Sequence, residues 1–219
     1  MRIGRKRPEQ SAAESLRPLL YGDVPVGEWG TDGDALAEPW VSFASARDAM
    51  RQGRVDDATA IWRAIASNPA YEARNRLQAW TFLRGQGVEP SPADGAQVLG
   101  AVAEVAVGAG HDVLAAYDDG SVRYLNHAGR IAVVEGLAPE AVRIAAAEWL
   151  AVAGSLAQVI GVWDGGGLPP LPAGHTRVLM LTPAGFRFGQ GPDADLRQER
   201  AADAFLRTAT SLLLAVTSI

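Results

Sequence analysis

Asp112, Tyr117, Tyr124 and His127 put a carboxylate, two phenols and an imidazole into one short stretch, DVLAAYDDGSVRYLNH. A carboxylate beside an imidazole is half of a general-base arrangement, in which the acid orients and charges the ring that takes the proton. Whether these groups meet depends on the turn between them. Asp119-Gly120 predicts a two-residue type I′ hairpin turn, because both central positions of that turn require positive φ and this dipeptide tolerates it. The turn then implies a register, with Tyr117 opposite Val122, Ala115 opposite Tyr124, Leu114 opposite Leu125 and Asp112 opposite His127. Asp112, His127 and Arg123 come to one face, and Tyr117 and Tyr124 to the other.

Catalysis needs more than this pair. The chain has no G-x-S-x-G, and Ser121 sits at the opposite end of the hairpin from His127. Asp112 and His127 therefore read as a cross-strand ion pair on an exposed rim, and no residue is assigned a catalytic role. Metal binding fares no better. With no cysteine, ligands must come from His111, His127, His175 and carboxylates. His111 and Asp112 are adjacent in a strand and point to opposite faces, while Asp118 and Asp119 are what a turn requires. No metal and no cofactor is expected.

The glycine clusters give no phosphate cradle. Gly165-Gly166-Gly167 runs into prolines rather than a helix, and Gly189-Gln190-Gly191 reads as a tight strand-to-helix connection. The Leu168-Pro169-Pro170-Leu171-Pro172 segment is read as a stiff spacer.

The elements that position these residues follow from periodicity. Strands are expected over 98–107, 112–118, 121–126 and 130–135, with His127-Ala128-Gly129 as a type I turn closed by a glycine bulge. A helix over 139–160 has a broad apolar face containing Trp149, Val152, Ala153 and Leu156. A second hairpin over 178–190 turns at Thr182-Pro183-Ala184-Gly185, expected as a type I turn with a glycine bulge, and a helix over 193–216 closes the chain. Upstream, Pro18, Pro25 and Pro39 argue against a continuous helix over 16–41. Helical periods occupy 43–53, 58–68 and 71–84.

The spacing of Ala46, Ala58, Trp62 and Ile65 resembles one tetratricopeptide repeat over residues 43–70, in which small residues let two helices approach and an aromatic fills the gap. One and a half such repeats cannot stand alone, so they must dock on the sheet. The element order downstream resembles profilin-like and PAS-like sheet modules, a resemblance that implies binding of small ligands or protein partners.

The expected fold class is α+β: N-terminal helical hairpins, then a mainly antiparallel sheet of about six strands with two long helices packed on it. Residues 1–15 read as a disordered basic tail, 16–90 as an extended segment plus helical region, and 91–219 as the sheet with its helices. A chain of 219 residues with net charge −5 and no cysteine is globular and ill-matched to nucleic acid. No apolar run reaches membrane-spanning length, so a cytoplasmic location and no membrane partner are expected. The first functional expectation is a non-enzymatic protein-interaction or adaptor module whose partner is another protein. The second is a sensory or small-ligand-binding domain with a pocket between sheet and helix. Its lining would come from Tyr117, Tyr124 and Trp149, with Asp112, Arg123 and His127 nearby.

Overall fold

The computed structural model describes residues 12–29, 37–108 and 110–218. Five helices come first: α1 Ala12–Tyr21, α2 Trp40–Arg51, α3 Val55–Ala66, α4 Ala73–Gly85 and the short α5 Pro92–Ala96. A meander follows: β1 Gly100–Val107, β2 Gly110–Tyr117, β3 Val122–Leu125 and β4 Ile131–Val134. Then come α6 Glu140–Ala157, the hairpin β5 His175–Thr182 and β6 Gly185–Pro192, and finally α7 Asp193–Leu196 and α8 Arg200–Thr217. The class is α+β, as expected.

All six strands form one antiparallel sheet in the order β4-β3-β2-β1-β5-β6. The meander builds outward from β1 to the β4 edge. Helix α6 then carries the chain back, so that β5 adds to the other side of β1. A strand flanked on both sides and covered on both faces has to be apolar throughout, which is why GAVAEVAV alternates so little.

The β2–β3 register differs from the expected one by a residue. Val113 pairs with Leu125, Leu114 with Tyr124, Ala115 with Arg123 and Ala116 with Val122. The turn is the cause. Gly120 N–H bonds the Tyr117 carbonyl at 3.0 Å, and Tyr117 N–H bonds the Ser121 carbonyl at 3.0 Å. This is a type I turn with Gly120, at φ 83°, as the bulge. A type I′ turn would need Asp119 at positive φ, and no described non-glycine residue has that. Asp119 has other duties, because its side chain accepts from Ser121 N–H at 2.8 Å and from Ala73 N–H, the first residue of α4, at 2.7 Å. The Asn126–Arg130 turn repeats this geometry with Gly129 at φ 82°, as expected from its alanine. The last hairpin pairs Thr182 directly with Gly185 across Pro183 and Ala184.

Alternate strand residues feed two cores. Ala101, Ala103, Leu114, Ala116, Val122, Val178 and Met180 face α6 and α8, where Trp149 and Phe205 meet edge-on at 5.2 Å. Leu99, Val102, Val113, Ala115, Tyr117, Leu179 and Leu181 face Leu20 and Tyr21 of α1 and Ala73 and Leu77 of α4. The N-terminal helices thus dock on the second face of the sheet. A third cluster holds α2, α3 and α4 together around Phe43, Trp62 and Phe82, with Trp29 packed on Trp40 and Phe43.

Two glycines are required by close approach. Gly22, at φ 64°, would place a Cβ 2.8 Å from that of Leu77, and here the Gln78 side chain grips both the N–H and the carbonyl of Val24 at 3.0 and 2.8 Å. Gly100 leaves room for the Tyr117 ring, whose nearest carbon would lie 2.9 Å from an added Cβ. One N-terminal expectation is corrected: helix α1 takes in residues 12–15, which were expected to belong to the tail, while it carries Pro18 and still ends at Tyr21; the rest of that tail lies outside the described residues. The expected helix over 193–216 is broken into α7 and α8, with residues 197–199 between them.

Candidate functional site

The expected site residues divide between the two faces of the sheet. On the α6/α8 face, Asp112 stands near the start of β2 and Tyr124 lies in β3. The Tyr124 hydroxyl donates to Asp112 Oδ2 at 3.1 Å. Asp112 Oδ1 accepts the His127 main-chain N–H at 2.7 Å and lies 2.7 Å from His127 Nδ1. The β3–β4 turn therefore folds His127 back onto the carboxylate. Burial is the larger reason the Tyr124 phenol is held above its ordinary pKa of 10.0, and the Asp112 charge adds to it.

Asp112 and Tyr124 open on a groove of about 140 Å3 between the sheet and α8, lined by apolar Ala103, Val105, Leu114, Leu206, Ala209 and Leu213. Asp112, Tyr124, Asp193, Arg197 and Thr210 complete its wall. Asp193 is engaged by Thr176 Oγ1 at 3.1 Å and by Arg197 at 3.3 Å. Pockets for drug-sized ligands span roughly 300 to 1,000 Å3, so this groove suits only a small group. The hydroxyls at the groove are engaged as donors, Tyr124 to Asp112 at 3.1 Å and Thr210 Oγ1 to the Leu206 carbonyl at 2.8 Å. The described residues contain no group of three His, Cys, Asp or Glu placed to hold a metal ion.

Tyr117, Arg123 and Trp149 are not part of this trio. Tyr117 faces α1 and α4, and the one-residue change of register brings Arg123 to that same face while turning Tyr124 to the side of Asp112. Tyr117 is fully buried and donates its hydroxyl to the Leu20 carbonyl at 2.7 Å, and burial holds its phenol far above the ordinary range. Arg123 bonds the Val122 and Val134 carbonyls at 3.1 and 3.3 Å and pairs with Glu135. Trp149 shares the α6/α8 face with Tyr124, but it is wholly enclosed in the core and does not line the groove.

The second candidate surface is the β4 edge. Asn126 N–H bonds the Arg130 carbonyl at 2.9 Å. Antiparallel alternation then makes Tyr124–Ala132 and Val122–Val134 the bonded pairs. Ile131 and Val133 consequently turn their N–H and C=O groups away from the sheet, and among the described residues no hydrogen bond reaches them. Their side chains lie on the α1/α4 face, beyond the reach of those helices, and are 52% and 53% exposed. The β6 edge is different. Its Phe186 carbonyl accepts Trp163 N–H at 2.7 Å, the Trp163 ring packs on Phe188 at 5.2 Å, and Arg187 holds the Ala157 and Ile160 carbonyls at 2.9 and 2.8 Å.

One polar feature went unread in the sequence. Glu104 of β1 lies opposite Arg177 of β5, both fully buried, with Oε2 2.8 Å from the guanidinium. Arg17 of α1 reaches the other carboxylate oxygen at 2.5 Å. Gln190 and the Pro169 carbonyl take further Arg177 donors. The signal was present: a lone glutamate in GAVAEVAV must bring its countercharge with it.

No protein-family model matches the chain, and no curated protein or solved structure is significantly similar to it. The tetratricopeptide likeness of residues 43–70 rests on the spacing of Ala46, Ala58, Trp62 and Ile65 alone, in a segment that holds α2 and α3. None of the described helices is long and apolar enough to cross a membrane.

Proposed function

We propose that this protein is a non-enzymatic protein-interaction module that takes up an extended strand on its β4 edge. The observation that carries this reading is the contrast between the two edges of the sheet. At the β6 edge the connector bonds the Phe186 carbonyl and lays the Trp163 ring on Phe188, whereas Ile131 and Val133 present free main-chain groups and half-exposed apolar side chains. An extended segment added there gains main-chain hydrogen bonds for affinity and side-chain contacts for specificity.

A second reading is a small-ligand site in the groove beside α8, favoured by the convergence of Asp112 and Tyr124 on an apolar wall. Affinity capture with mass spectrometry of both proteins and small molecules separates the two. Val133→Pro removes an outward N–H without breaking a bond of the protein's own sheet, a position where an edge strand accepts proline. A stoichiometric protein lost with Val133→Pro and kept with His127→Ala is the expected result. A protein indifferent to Val133→Pro overturns the edge reading. A small molecule retained by the wild type and lost with Asp112→Asn moves the function to the groove.

A further inference from the structure

We infer that the strand received on the β4 edge is β4 of a second copy of this chain, so that two six-stranded sheets continue into one across a two-fold axis. This rests on the edge reading above and names its partner. The warrant is that the edge is complementary to itself.

The outward main-chain groups belong to Ile131 and Val133. An antiparallel pair bonds only where outward residues of both strands meet. A two-fold axis beside Ala132 achieves this, setting Ile131 opposite Val133 of the second copy, and the reverse. Each such pair exchanges two N–H···O bonds. The same register brings Ile131 and Val133 of both copies into one apolar row on one face, and puts only the small Ala132 at the axis on the other. Charge does not oppose it. Glu135 is already held by Arg123, and Arg130 shares the face of Ala132, opposite to the apolar row.

The closure of the assembly gives a second, independent argument. An apolar edge normally carries a lysine, a proline, a bulge or an inward charge against unwanted pairing. Residues 131–134, Ile-Ala-Val-Val, carry none. Pairing β4 with the β6 edge of another copy would repeat without end and form a filament. Trp163 occupies the β6 edge at Phe186 and obstructs that course. Pairing β4 with β4 closes on itself and leaves as its two ends the β6 edges, each carrying Trp163 at Phe186.

The test is sedimentation of the full chain over a wide concentration range, with hydrogen exchange at residue resolution. The chain has a mass of 23.0 kDa, and a species of twice that mass should form reversibly. Amides of Ile131 and Val133 should gain protection as it forms, while those of Ala132 and Val134, already bonded to β3, should not change. Val133→Pro should leave a monomer at every concentration. Ile131→Lys, a half-exposed position that leaves the bonds to β3 intact, should weaken the dimer roughly tenfold by putting a charge into the shared apolar row. A wild type that stays monomeric overturns the self-pairing; the edge reading itself survives if a different protein is still lost with Val133→Pro. A dimer that persists in Val133→Pro, with the wild-type amides of Ile131 and Val133 exchanging freely within it, overturns the self-pairing as well.

Discussion

Replacing Glu104 by leucine should be among the most destabilising single changes in the sheet. Its carboxylate and the Arg177 guanidinium are fully buried and 2.8 Å apart, with Arg17 on the second oxygen. Burial pushes the Arg177 pKa down and Glu104 opposes that shift, so the charged guanidinium depends on its countercharge. Removing one partner of such a pair costs about 3 to 5 kcal/mol, because the other charge is left buried alone. Total stability for a domain is about 5 to 15 kcal/mol. With a urea slope of about 2 kcal/mol/M, the midpoint should fall by roughly 2 M. The double variant Glu104→Leu with Arg177→Met should recover most of that loss. It removes both buried charges, keeps the volume apolar, and leaves Arg17, which is 21% exposed, free to turn toward water. Equilibrium urea unfolding of the wild type, both single variants and the double variant provides the cycle. A Glu104→Leu loss below about 1 kcal/mol, or a double variant no better than the sum of the singles, would refute the reasoning.

Three further outcomes follow from the contacts that join the helical part to the sheet. Tyr117→Phe strands the buried Leu20 carbonyl and should cost about 1 to 2 kcal/mol in chemical denaturation, with faster amide exchange in α1. Asp119→Ala removes the bond to Ser121 N–H and the cap on Ala73 N–H. It should cost a similar 1 to 2 kcal/mol or so, largely restored by Asp119→Asn, as read from thermal melts. The Tyr124 pKa is raised in the folded state by burial and then by Asp112. The stability linked to this phenol is therefore present below pH 10.0 and lost as pH rises through the folded value. Asp112→Asn should lower the Tyr124 midpoint in a phenolate absorbance titration, and an unmoved midpoint would remove the Asp112 charge as a cause.

The amino-acid sequence by itself determined the class and the element order. Period-two apolar runs, glycine-closed turns and amphipathic helices are local signals, and a chain of this composition can bury them in few ways. The same signals placed the Asn126–Gly129 turn, whose alanine is unsuited to positive φ. The Asp119-Gly120 turn was decided elsewhere. The dipeptide alone is compatible with two turn types. The choice came from a contact distant in sequence, the Asp119 carboxylate capping α4 at Ala73. That one-residue difference separated Tyr124 from Tyr117 and brought Arg123 to the α1/α4 face, because side chains alternate along a strand. The partnership of Glu104 with Arg177 likewise needed β5 to lie beside β1, a non-local pairing that strand periodicity does not encode. Residues 130–135 were legible as a strand, but its place at an uncovered edge belongs to the topology. Which strand lies outermost depends on where α6 returns the chain, and only the folded sheet shows it.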